Sequence, residues 1–172
     1  MNVMEAIKQR FSVRKYKAYE IEDEKLERVI EAARLAPSAR NLQEWRFVVV
    51  RDERMREALS EAANGQRFVA EAPAVIVACA ITSERVMSCG LHCFPIDISI
   101  AMAYMTLVAV EEGLGTCWVG AFNSDKVRDL LGIPKDVIVV GVLPIGYPDI
   151  EAPQRKRLSL NEIMFEEHWR MG

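Results

Sequence analysis

The sequence predicts an α+β (mixed α/β) fold in one domain, and three observations predict it. Two continuous apolar runs, AVIVACA at residues 74–80 and VIVVGVLPI at residues 137–145, have the length and composition of strands covered on both faces. Around them, apolar residues recur at helical spacing. The 172 residues are 51% hydrophobic and 27% charged, the profile of one globular domain. A chain of that size buries roughly 70% of the surface its unfolded form exposes, so it requires no metal or disulfide staple.

The elements follow in order. Asn2 can cap a first helix, with Glu5 three residues on in a capping-box arrangement and Met4, Ile7 and Phe11 spaced for one face. A second helix reads over residues 23–35, where Leu26, Val29, Ile30 and Ala33 fall at i, i+3, i+4 and i+7, and Pro37 ends it. Residues 47–50 form a short β-branched strand. A polar helix over 53–63 stops near Asn64-Gly65, and the buried strand 74–80 comes next. Residues 95–112 then read as a helix apolar on every side: before its two terminal glutamates only Asp97, Ser99 and Thr106 interrupt it. Such a helix is buried all round, which one chain of this length hardly provides and a dimer core would. Gly113 and Gly115 close it. Ser124 caps a short helix to Leu131, strand 137–145 follows, and after a loop over 148–157 a last helix covers 160–169.

Composition excludes several classes of function. A net charge of −3 argues against a general nucleic-acid binder but leaves room for a local phosphate pocket. The N-terminal MNVMEAIKQR lacks the apolar core of a secretory signal, and no stretch of about 20 residues is uninterruptedly apolar. The expectation is a cytoplasmic protein, outside the membrane, with Cys79, Cys89, Cys93 and Cys117 reduced. Cys89, His92 and Cys93 could offer two thiolates and an imidazole to a metal, but no fourth ligand is evident beside them. The expectation is therefore no metal, and His92 and His168 form no triad.

Nucleotide-binding glycine signatures are absent, so side chains must hold any phosphate. Three stretches qualify. In Arg10-Phe11-Ser12-Val13-Arg14 the two arginines and the serine alternate, and in extended chain they share one side, as a phosphate clamp requires. A solvated basic turn would carry the same residues. Arg155-Lys156-Arg157 repeats the alternation, and Pro37-Ser38-Ala39-Arg40-Asn41-Leu42-Gln43 is a helix stop rich in polar groups.

Together with GLGTCWVGAF after the long helix and GYP before RKR, these stretches, as RFSVRKY and APSARNLQEWRFVVV, resemble the nitroreductase family of flavoproteins, in the family's order and over nearly the whole chain. The resemblance implies a mainly antiparallel central sheet flanked by helices, in an intertwined homodimer with FMN at the subunit interface. It implies that Arg10, Phe11, Ser12 and Arg14, with Arg155 and Arg157, take the FMN phosphate and ribityl chain, while Lys156 points away. Pro37, Ser38, Ala39 and Asn41 would reach the flavin from the other subunit, and Asn64 and Arg67 would lie near its pyrimidine side, with Gln66 a competitor. Backbone near Val119 and Gly120 would approach the ring, the Gly120 N–H donating to N5. The implied activity is ping-pong hydride transfer from NADH or NADPH to a small electron-poor acceptor such as a nitroaromatic or quinone. The flavin does the chemistry and no side chain acts as catalyst. Same-fold alternatives are flavin destruction, reductive dehalogenation, or a non-catalytic FMN-binding or redox-sensing protein. Trp45 and Trp118 are expected to serve packing.

Overall fold

The computed structural model describes residues 1–81 and 84–169. Four strands form one antiparallel sheet in the order β1-β2-β4-β3: β1 (Trp45–Val50), β2 (Ala74–Ala80), β3 (Gly115–Thr116) and β4 (Ile138–Gly146). Every residue of β2 is buried, because β2 lies between β1 and β4 and has helices on both faces. Its alternation divides the core. Ala74, Ile76, Ala78 and Ala80 join one apolar cluster, and Val75, Val77 and Cys79 join the other. A bulge opposite Ala78–Cys79 shifts β4 by one residue, so Val139 and Val142 share a face despite their odd spacing.

The first cluster is covered by α2 (Asp23–Arg34) and α5 (Cys93–Glu111), which pack on one another. Leu26, Val29 and Ala33 are buried as the spacing predicts. The second cluster is covered by α3 (Glu53–Ala62), α4 (Phe68–Glu71) and α6 (Ser124–Leu131). Helix α1 (Val3–Gln9) has the capping box at Asn2 and Glu5 and packs on α5.

Several boundaries differ from the sequence reading. Asn123, not Ser124, caps α6, since its side chain accepts from the Lys126 N–H at 2.9 Å. Strand β1 starts two residues earlier than predicted, and α5 starts at Cys93. The last helix, α7 (Leu160–Ile163), is one turn long, because its apolar side chains find no surface to cover among the described residues: Leu160, Ile163 and Met164 are exposed.

Helix α5 is long and apolar enough to cross a membrane by length and composition, but Ile98, Ala101, Met102, Met105 and Ala109 are fully buried on the sheet and α2, the position of a core helix. Its other face is bare in one chain. Ile96 and Tyr104 are about two-fifths exposed, and Val3, Met4 and Ile7 of α1 are exposed beside it. The apolar-all-round sequence is therefore only half used within a single chain.

Candidate functional site

Residues 10–16 run extended beside β3. Ser12 bridges Thr116 in parallel, and the Val13 N–H donates to the Thr116 carbonyl at 2.9 Å. Val13 is fully buried, which sends Ser12 and its alternate neighbours to the opposite side. Arg10 and Ser12 line one cleft, and Arg14, Ser12 and Arg10 all lie near enough to the Cys117 thiol to hold down its upward shift. The three residues thus share a side, as the alternation predicts. Gly115 permits this close approach: a Cβ there would lie 2.3 Å from Val13 Cγ2 and 2.9 Å from Pro148 Cγ.

The far end of the chain returns to the same place. Tyr16 pairs with Pro148, the Lys17 N–H donates to the Tyr147 carbonyl, and the Asp149 N–H donates to the Lys15 carbonyl, each backbone bond at 2.9 Å. Lys15 and Asp149 add an ion pair at 3.0 Å. Beneath this ladder the Tyr16 hydroxyl donates to the Val13 carbonyl at 2.8 Å, and burial pushes its phenol well above the usual range. The ladder delivers Arg155 over the Phe11 ring, 5.8 Å from its centroid. Arg10 loses basicity through burial first and then through the positive charges of Arg155 and Arg157, while Lys156 is exposed. Among the described residues, Arg10, Arg14, Arg155 and Arg157 form no ion pair with a carboxylate. Like charges gathered and partly desolvated without a carboxylate define a place for an anion.

Arg10 and Ser12 open into a cleft of about 300 Å³, whose other walls include Thr106 of α5, Thr116 and Trp118. Trp118 is 39% exposed there, with its indole nitrogen packed against Gly141 of β4, whereas Trp45 is buried in the core. Burial pushes the Cys117 thiol up, and Arg14, Ser12 and Arg10 oppose that shift.

The following backbone separates the two residues singled out in this loop. Val119 exchanges both backbone bonds with Val142, at 2.8 and 3.1 Å, so its N–H is committed. Gly120 is exposed. Its N–H has no acceptor among the described residues. The turn carrying Asn64 and Arg67 is tied alongside. The Gln66 amide donates to the Ala63 and Ala121 carbonyls, at 2.9 and 3.1 Å, which leaves Asn64 and Arg67 exposed and assigns Gln66 to holding the turn. Arg14 lies over the Phe68 ring at 5.7 Å, which joins this turn to the arginine cluster.

The segment from Pro37 to Asn41 stands apart from that cluster in the same chain. The Ala39 N–H donates to Asp97 near the start of α5, whereas the Arg10 cleft lies against Ala103, Thr106 and Leu107. At 1.5 Å rise per residue these places are separated by roughly 9–15 Å along the helix. Phe68 and Asp97 were not singled out from sequence as site residues: Phe68 lies in a helix of four residues, and Asp97 reads as an interruption of an apolar run.

Among the described residues no group of three or more His, Cys, Asp and Glu side chains could hold a metal ion. Cys93 is buried at the start of α5, while Cys89 is exposed in the turn before it.

An antiparallel sheet between two helical layers, with arginines gathered beside β3 that meet no carboxylate among the described residues, defines an α+β protein whose sheet edge suits an anion. The sequence pattern that defines the Nitroreductase family matches residues 7–147, and the chain belongs to that family. A protein of Methanothermobacter thermautotrophicus, described by name as an NADH dehydrogenase/NAD(P)H nitroreductase, is 35% identical over 174 residues, covering 98% of this chain and 88% of its own length. The solved FMN-dependent nitroreductase of Clostridium difficile R20291 superposes with a TM-score of 0.83 at 32% identity, covering 96% of this chain and 99% of that one. The NADPH:FMN oxidoreductase of Vibrio harveyi, solved with NAD+, gives a TM-score of 0.88 at 25% identity, covering 99% and 79%. The expected mainly antiparallel sheet flanked by helices is the fold found.

Proposed function

We propose that the protein binds FMN by the side chains of Arg10, Ser12, Arg14, Arg155 and Arg157, with Phe11 beneath Arg155, and works as a homodimer. The protein is an FMN-dependent NAD(P)H oxidoreductase acting on small molecules, in line with the named activities of its relatives. The observation that carries the binding assignment is the convergence of Arg10, Arg155 and Arg157 with no carboxylate against them among the described residues. A phosphate dianion suits such a site, since each guanidinium gives it charge-assisted, often paired, hydrogen bonds.

When bound, FMN would supply the hydride chemistry between NADH or NADPH and an electron-poor acceptor such as a nitroaromatic or quinone. The chain's residues position and tune. Val119, pinned to Val142, fixes the backbone from which the Gly120 N–H would be offered to the flavin N5. Asn64 and Arg67, held by Gln66, are assigned to the pyrimidine side. Pro37, Ser38, Ala39 and Asn41 are assigned to the flavin of the neighbouring subunit, which agrees with their distance from this chain's own arginines. The bare apolar face of α1 and α5 is where a second subunit would pack. Residues 1–172 then act as one FMN-binding domain, placed in the cytoplasm.

The test is FMN titration of Arg10→Ala and Arg157→Ala. Each loses a charge-assisted contact worth about 1.5–3 kcal/mol, so Kd should rise roughly 10- to 150-fold. Wild-type affinity in both variants would overturn the phosphate assignment.

A further inference from the structure

We infer that Asp97 is a positioning residue for the flavin site: its carboxylate fixes on α5 the place of the loop from Pro37 to Asn41, which each subunit offers to its neighbour's FMN. The inference rests on the proposed role of that loop. Asp97 is the only charged residue among the buried positions of α5, and it is 5% exposed. Among the described residues it has no ion-pair partner. Burying a carboxylate in an apolar helix is costly, and the bond its Oδ2 accepts from the Ala39 N–H at 3.0 Å is the compensation that the structure provides.

The loop needs such an anchor. Arg40, Asn41 and Gln43 all have left-handed backbone, with φ of 53°, 57° and 52°. Non-glycine residues persist in that region only where surrounding contacts over-determine them. Most of the holding bonds are internal to the loop. The Asn41 N–H donates to the Ser38 carbonyl at 2.9 Å, the Leu42 N–H to the Ala39 carbonyl at 3.2 Å, and the Gln43 N–H to Ser38 Oγ at 3.0 Å. These bonds set the shape of the turn but do not locate it. The Asp97 bond is the one that ties its backbone to α5, the helix whose bare face carries the proposed subunit interface.

The bond can be broken from either side. Asp97→Ala removes the acceptor, and Asp97→Asn keeps an acceptor oxygen without the charge. Ala39→Pro removes only the donor. Proline suits that position, because Ser38 before it is extended (φ −141°, ψ 158°) and Ala39 is the first residue of a 3₁₀ turn. Each dimeric variant is titrated with FMN, and its bound-flavin visible circular dichroism, kcat and KM are recorded beside its melting temperature. Asp97→Ala and Ala39→Pro should each weaken FMN at least about tenfold and alter the flavin dichroism, the double variant should be no worse than either single, and Asp97→Asn should recover most of the affinity. If Asp97→Ala or Ala39→Pro lowers only the melting temperature, with flavin affinity, dichroism and KM unchanged, Asp97 is a fold residue and the inference fails. If the wild-type protein takes up no FMN, the underlying reading fails instead.

Discussion

Replacing Gly115 with alanine tests how the fold builds the anion site. The new methyl would sit 2.3 Å from Val13 Cγ2 and 2.9 Å from Pro148 Cγ, against about 3.5–4.0 Å for comfortable carbon contacts. Val13 is fully buried, so it cannot swing away, and residues 10–14 must move by roughly 1 Å. Overpacking of this kind costs about 1–3 kcal/mol, which at 2–4 °C per kcal/mol for a chain of this size lowers Tm by roughly 2–12 °C. Because the same segment carries Arg10, Ser12 and Arg14, FMN affinity should fall at least about tenfold as their alignment is lost. Val13→Ala removes the closest clash, so in a double-mutant cycle the two substitutions should couple, the double variant being milder than the sum. Thermal unfolding and FMN titration of the three variants are the assay. Gly115→Ala with wild-type Tm and affinity, or strictly additive effects, would refute the reasoning.

Two further predictions concern the interface and the core. Tyr104→Glu puts a charge on the bare face of α5 while leaving the fold of one chain intact. Sedimentation should shift from dimer to monomer and FMN affinity should drop with it; a variant that stays dimeric would show that this face is not the interface. Burial pushes the Cys79 thiol up from 9.0 to about 11, so between those pH values the unfolded chain loses a proton that the folded chain keeps. Stability is therefore retained below pH 9 and should fall by on the order of 2–3 kcal/mol as pH rises through that window, and Cys79→Val should flatten the slope in urea unfolding. An unchanged slope in that variant would assign the loss to other groups.

The sequence carried the architecture where burial imposes a period. The run from Ala74 to Ala80 reads as a doubly covered strand because both its alternating faces meet helices, and Leu26, Val29 and Ala33 read as one helical stripe. The alternation of Arg10, Ser12 and Arg14 was legible for the same reason, since extended chain has a period of two. Elements too short to show a period were not legible: α4 has four residues and β3 two, and both exist through tertiary contacts. Strand β3 depends on Gly115 lying against Val13, which no local pattern announces. The bulge in β4 is likewise set by its neighbour β2. The helix expected over 160–169 shortened to Leu160–Ile163, because an apolar pattern forms a stable helix only where it finds a surface to cover. The family resemblance supplied roles for Asn64, Arg67 and Gly120; the structure added that Gln66 and Val119 are tied up in holding the backbone beside them.

The central claim is that this chain holds FMN and reduces it with nicotinamide. Its most direct test is the visible spectrum of the purified protein, reconstituted with FMN and titrated without oxygen with NADH and then NADPH. The expected result is about one FMN per chain, a yellow spectrum that bleaches on addition of at least one of the two nucleotides, and recovery when a quinone or nitroaromatic is added. A protein that ignores added FMN, or that binds it and is bleached by neither nucleotide, would contradict it.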